Sequence, residues 1–306
     1  MTALQVRRVQ FDFDGDVPFL WQPDKPAFSL MTNMISIIAI AFEKYIVQAI
    51  RQAMPLITDP VVAAEADAFL RQEAQHARVH RQHLKALGRA HPGLQETVEQ
   101  AIGCFDELLA SKSLNYHLAY IADLEASFTP TFKLLLDHEE ALFRPGDERV
   151  ASMFLWHFVE EVEHRSSALI VYRAIGGSEA YRLAVLPSVA LHMGRVLQVI
   201  VEGFNAHVPL EVRKIDARVL LPTFRARHFL RSLVPFLRRD GERSLPDGLA
   251  GISGPARRAA SWRILKSQMP NHDPEDQPLP AFAAQWLERY DRGEDVVRWY
   301  SSELAR

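Results

Sequence analysis

Glu73-Ala74-Gln75-His76 and Glu161-Val162-Glu163-His164 set a carboxylate and an imidazole at the same i, i+3 spacing, 88 positions apart. Both lie in segments with the apolar periodicity of helices, where that spacing puts Glu and His on one face about one turn apart. The first motif is flanked by Phe69, Leu70, Ala77 and Leu84, so much of its helix belongs in a protein interior. An acid in apolar company precedes each motif: Glu43 in IAIAFEKYIVQAI, 30 residues upstream, and Glu125 in AYIADLEASFTPTF, 36 residues upstream. Buried charges are costly unless partnered. The chain must therefore bring these acids and imidazoles to a common centre that neutralises them, and two facing helical hairpins would do so.

Four carboxylates and two imidazoles projected into a bundle are the ligand set of di-iron and di-manganese carboxylate proteins. Carboxylate and imidazole ligands reach such ions at roughly 2.0–2.2 Å. Two neighbouring ions need bridging anions, which accounts for four acids rather than two. The expected metal ligands are Glu43, Glu73, His76, Glu125, Glu161 and His164. One Glu-x-x-His alone is weak evidence; two, each with its upstream acid, are specific.

The rest of the chain reads as all-α. Only Gln5 to Phe13 alternates with period 2 and looks strand-like. Helices are expected near 30–54, 60–87, 94–111, 113–141, from Asp147 to about 175, and at 178–205. Thr58 or Asp59 caps the second, with Pro60 at its first position and Gly88 at its stop. Pro130 is expected to kink the fourth. Residues 1–177 form the expected four-helix core with an N-terminal segment, and 178–306 a helical extension packed on it, with loops at 241–256 and 270–280.

With 48% hydrophobic and 24% charged residues the chain has the composition of a soluble globular protein. Its net charge of −3 offers no electrostatic reason to expect nucleic acid. A single cysteine, Cys104, excludes an intramolecular disulfide and a zinc–thiolate cluster, and fits a reducing cytoplasm. The N-terminal MTALQVRRVQFDFDGD lacks a secretory h-region. The apolar stretch Leu183 to Val201 is interrupted by Pro187, His192 and Arg195, so burial within the protein is expected rather than membrane contact. A homodimer is left open.

FEKYIVQAIRQAMPLITDPVVAAEADAFLRQEAQHARVH, LWHFVEEVEHRSSALIVY and the segment around PNHDPEDQPLPAFAAQW resemble the bacterial family labelled "predicted metal-dependent hydrolase", placed among ferritin-like proteins. The resemblance covers most of the chain and implies a ferritin-like four-helix bundle with a metal site. One departure is visible: the family usually has a Pro and a Gly just before the first glutamate, where this chain has Ile38-Ala39-Ile40-Ala41-Phe42. Hydrolysis would use a water acidified by divalent ions, Mn or Zn included. Buried carboxylate-rich bundles more often resemble proteins that activate O2 at two irons, because such ligation suits hard ferric ions. The preferred reading is a di-iron oxidoreductase or oxygenase acting on a largely apolar or aromatic small molecule, with the hydrolase as alternative and non-catalytic iron binding behind both. No Gly-x-Gly-x-x-Gly is present, so electrons would come from a separate reductase or from the substrate.

His80 extends the first stripe by a turn and reads as an outer or solvent-facing histidine, with an additional ligand as the alternative. His157, one turn before Glu161, is a candidate outer residue, as are Gln72 and Glu160, which precede the two motifs and could orient the histidines. Glu163, Glu139, Glu140, Asp137 and Glu65 read as solvated faces. Phe128, Phe132, Phe154, Trp156 and Phe158 read as core first and pocket lining second. Arg225, Arg227, Arg231, Arg238 and Arg239 form a modest basic stripe, read as a solvated face.

Overall fold

A computed structural model describes residues 4–226, 245–270 and 272–304. Among them the fold is all-α, with no strand. The helices are α1 (Pro26–Ala53), α2 (Pro60–Ala90), α3 (Leu94–Ser111), α4 (Leu114–Leu136), α5 (Glu139–Phe143), α6 (Glu148–Glu163), α7 (Ser167–Ala174) and α8 (Glu179–His207). The short α9 (Leu210–Arg213) follows, then α10 (Gly254–Ser267), α11 (Ala281–Asp291) and α12 (Trp299–Leu304). Of the basic stripe, only Arg225 falls within the described residues.

Side-chain caps define most long helices. Asp59 accepts from the Val61 amide with Pro60 at the first position, and Ser113, Asp147, Ser178 and Ser253 cap α4, α6, α8 and α10 in the same way. Gly88 does not stop α2, which runs on to Ala90. The expected 113–141 helix ends at Leu136, before the short α5. Pro130 lies inside α4.

The helix expected from Asp147 to about 175 is interrupted at residues 164–166. The Arg165 guanidinium turns back onto the terminal Val162 carbonyl at 2.9 Å and holds the Pro274 carbonyl at 3.1 Å. Glu275 takes Arg165 at 2.8 Å and the Ser166 hydroxyl at 2.7 Å. Residues 274–275 thus hold the side chains at the break, a long-range partnership no local periodicity reports.

The Gln5–Phe13 alternation marks no strand. Arg7, Val9, Phe11 and Phe13 are buried while their neighbours are not, so an extended segment lies along the helices with one side inward. Period-2 burial requires an extended backbone and a surface to lie on; it does not require a partner strand.

α1 packs on α2 and α3, α4 on α6 and α7, and α8 on α3 and α4; α10 lies on α4, and α11 and α12 on α6. α8 approaches α3 so closely that a Cβ at Gly203 would meet Thr97 Oγ1 at 2.1 Å. The expected burial of 183–201 needs correction: only 28% of the apolar window of α8 is buried, and Leu191 is 78% exposed. One face, through Val185, Val189, Val196 and Ile200, meets the core; the opposite face is exposed, apolar through Ala184, Pro187 and Leu191 and polar beyond them at Arg195, Gln198 and Glu202. α1 and α8 are each long and apolar enough to cross a membrane, though the α1 window is 72% buried.

Candidate metal centre

α1, α2, α4 and α6 each turn a carboxylate inward. Glu43, Glu73, Glu125 and Glu161 are at most 3% exposed, and His76, His157 and His164 at most 2%. The donor atoms fall into two groups, each mutually within 4.8 Å: Glu43, His76, His157 and Glu161 in one, Glu73, Glu161 and His164 in the other. Glu161 belongs to both. Glu125 lies outside these groups but faces the second, with Oε2 3.6 Å from His164 Nε2. The structure thus brings together all six residues singled out in the sequence and adds His157.

The imidazoles are aimed by their outer nitrogens. His76 Nε2 lies 2.9 Å from Glu160 Oε2, which leaves Nδ1 facing Glu161 at 3.6 Å and Glu73 at 3.9 Å. His164 Nδ1 lies 3.1 Å from Gln72 Oε1, which leaves Nε2 facing Glu73 at 3.1 Å and Glu161 at 3.5 Å. An N–H donated outward places the lone pair inward, as metal-ligating histidines require. Arg7 holds this outer layer together, donating to Glu163 at 2.5 and 2.7 Å and approaching Glu160 at 3.5 Å. Glu163 also accepts from Gln72 at 3.2 Å and is therefore not the solvated residue its sequence context suggests. Glu65 likewise accepts from Ser167 at 2.5 Å.

His157 is the residue whose place the sequence understated. Its Nε2 is 2.9 Å from Glu161 Oε1 and 3.3 Å from Glu43 Oε1, while Nδ1 is 2.8 Å from His80 Nε2. His80 Nδ1 meets Ser36 Oγ at 3.0 Å, and that hydroxyl meets His83 Nδ1 at 3.2 Å. His80 is fully buried and belongs to neither donor group, so it is an outer histidine but not a solvent-facing one. The chain His157–His80–Ser36–His83 has two self-consistent directions. Run inward, it ends with His157 Nε2–H donated to Glu161; run outward, it frees that nitrogen's lone pair for a cation. The i, i+4 spacing of His157 and Glu161 was the available signal. Arg7 had one too, as the inward position in phase with Val9, Phe11 and Phe13.

The electrostatics demand positive charge. Burial pushes Glu43 well above the ordinary carboxylate range, raises Glu73, and lifts Glu125 to about 8. Burial also acts against Glu161, but His164, His157 and His76 outweigh it and hold that carboxyl well below its usual value. Burial opposes charge on His76 and His164 as well, yet the surrounding acids raise both well above normal. Glu43 Oε2, both Glu73 oxygens, His76 Nδ1, Glu161 Oε2 and His164 Nε2 are buried without a hydrogen-bond partner. Orphaned acceptors from five residues on three helical segments, converging on one volume, fit a cationic ligand, and these side chains could hold metal ions.

A cavity of about 200 Å³ adjoins this centre. Ile35, Ile38, Ala39, Phe42, Phe128 and Phe132 wall it, and Glu43, Glu125, His157 and Glu161 line its metal-site side. Phe154, Trp156 and Phe158 are fully buried core residues instead.

His83, at the far end of the relay, has no partner for Nε2, and burial lowers its pKa from 6.5 to about 3. The folded protein therefore keeps it neutral while the unfolded chain takes up a proton below about 6.5. Its contribution to stability is complete above that pH and is lost as the pH falls toward 3, by up to about 1.4 kcal/mol per pH unit. Denaturant titrations at pH 7.5 and 5 should show a steeper loss for the native protein than for His83→Gln; equal losses would place the titration elsewhere.

An all-α fold built around a buried carboxylate–imidazole centre defines a protein of the metal-binding helical class. The chain belongs to the family described as predicted metal-dependent hydrolase, whose model matches residues 5–241. No curated protein and no solved structure matches it.

Proposed function

We propose that this protein is a two-metal enzyme acting on a small, largely apolar molecule, with Glu43, Glu73, His76, Glu125, Glu161 and His164 as ligands and His157 as a seventh. The observation that carries this reading is the convergence of orphaned donor atoms beside an apolar cavity. The pairing of α1 with α2 and of α4 with α6 supports a ferritin-like bundle as the framework. Glu161, common to both donor groups, could offer an oxygen to each of two ions.

Family membership supports hydrolysis as the reaction. Bound divalent ions would supply Lewis acidity and an acidified water there. The protein's own part is to orient the ligands through Glu160 and Gln72 and to hold the substrate against Phe42, Phe128 and Phe132 in a volume that disfavours bulk water. A specific observation favours a second reading, oxidation by O2 at two irons with an external electron donor. Among the described residues the cavity lining has no Lys, Arg or side-chain amide, and its Ser127 and Thr131 hydroxyls are donated to the carbonyls of Asp123 and Ser127. Four carboxylates also suit ferric iron better than a divalent ion meant to acidify water.

One experiment separates the two. The protein loaded with Zn or Mn is assayed anaerobically on small aromatic esters, and the iron-loaded, reduced protein is assayed for O2 uptake. Ester cleavage without O2 supports the hydrolase; O2 consumption by the iron form that disappears in His76→Ala supports the oxidase. Neither activity, on protein with full metal occupancy, would overturn the enzymatic reading.

A further inference from the structure

α10 carries two apolar stripes on opposite sides. Ala256, Ala260, Ile264 and Ser267 are buried or half-buried where the helix packs on α4. Half a turn round, Trp262, Leu265 and Met269, the last just past the helix end, follow i, i+3, i+7 spacing and are 66%, 57% and 55% exposed. Within its 14 residues α10 has Arg257, Arg258, Arg263 and Lys266 and no acid, in a chain whose net charge is −3. Arg257 is paired with Asp247; Arg258, Arg263 and Lys266 pair with no acid among the described residues. Arg263 and Lys266 also line a recess of about 220 Å³ at the seam between α10 and α4, with His272 and with Lys133, which pairs with Asp137 at 3.1 Å; among the described residues Asp276 is the only acid on its lining.

We infer that α10 is a docking surface for an anionic lipid bilayer. Trp262, Leu265 and Met269 enter the headgroup–acyl boundary, and Arg258, Arg263 and Lys266 meet lipid phosphates, with the recess beside Lys133 sized for a headgroup. An apolar stripe that begins with a Trp and has unpaired cations along its flank is the pattern of helices lying in a membrane interface. A second copy of this chain fits less well, because an isologous contact would set the same unpaired cations against each other. Arg182 donates to the Gln268 and Met269 carbonyls at 3.4 Å, joining α8 to the end of the stripe. The inference is independent of the reaction proposed above and concerns a helix beyond residues 5–241 of the family match.

The test is co-sedimentation of the full-length protein with vesicles of phosphatidylcholine and phosphatidylserine, beside vesicles of phosphatidylcholine alone. Binding is expected to the anionic vesicles, to weaken with salt, and to fall roughly fivefold for each of Arg263→Gln and Lys266→Gln. Trp262→Ala combined with Leu265→Ala should abolish it. These side chains are exposed, so helicity should be unchanged in every variant. The other four tryptophans are at most 1% exposed, so a blue shift of intrinsic fluorescence on mixing reads Trp262. No sedimentation with anionic vesicles, or sedimentation unaffected by the Trp262/Leu265 pair, would overturn the inference. So would conversion of an oligomer to monomers by that pair, which would assign the surface to a second copy.

Discussion

Replacing His76 and His164 together by alanine is expected to strip the protein of metal while leaving it helical. The native protein should hold about two ions per chain after purification in metal-replete medium and extensive dialysis. Each donor group contains one of the two histidines, His76 beside Glu43, His157 and Glu161, and His164 beside Glu73 and Glu161, so the double variant damages both. The remaining carboxylates would then lie close together with fewer neutral donors between them. Single variants should separate the groups: His164→Ala keeps the three-helix set of Glu43, His76, His157 and Glu161 and should retain about half the metal. Elemental analysis reads the outcome and far-UV circular dichroism checks the fold. A double variant with its metal intact would show that the convergence of these residues has another purpose.

Chelation is expected to destabilise the protein, and by more as the pH rises. Without metal, burial holds Glu43, Glu73 and Glu125 above their ordinary range, Glu125 at about 8 against 4.5. The folded apo-protein thus binds more protons than the unfolded chain between these values. The contribution of such groups is complete below about 4.5 and is lost as the pH rises toward 8. For Glu125 alone the interval is ~3.5 pH units, or about 5 kcal/mol. Metal replaces the protons and removes that penalty, adding its own binding free energy to the folded state. At pH 8 the chelated protein should melt about 10 °C or more below the loaded one. At pH 5.5 the gap should be smaller, because protons then serve the carboxylates in place of metal. Calorimetry of the two forms across this range is the measurement. A gap that stays constant or narrows with rising pH would mean that the buried acids are not what the metal neutralises.

Much of this centre was legible in one dimension because its logic is local. Glu73 with His76, and Glu161 with His164, share a helix face by virtue of a 3.6-residue period, and Glu43 and Glu125 stand out as acids in apolar helices. The caps at Asp59 and Ser178 were equally local, set by a side-chain oxygen and the nearest amides. The surroundings of the interruption after Glu163 were not, since the Arg165 side chain there is held by Glu275 and the Pro274 carbonyl, more than 100 positions away. Arg7 reaches the outer layer from a segment whose alternation suggested a strand; only its docking on the helices reveals which side is inward.

Composition and periodicity were thus sufficient for an all-α chain and for singling out six acids and imidazoles that the fold buries near one another, because helix formation and helix faces follow from near neighbours. Which nitrogen of each histidine turns inward, and the entry of His157 into the first donor group, depend on Glu160, Gln72 and His80. The second apolar face of α10 belongs to the same kind of fact. Its residues are plain in the sequence, but which stripe is packed and which is left to solvent is settled only when α4 covers one of them. Burial and hydrogen-bond direction are properties of what surrounds a side chain, and for these residues the surroundings come from distant parts of the chain.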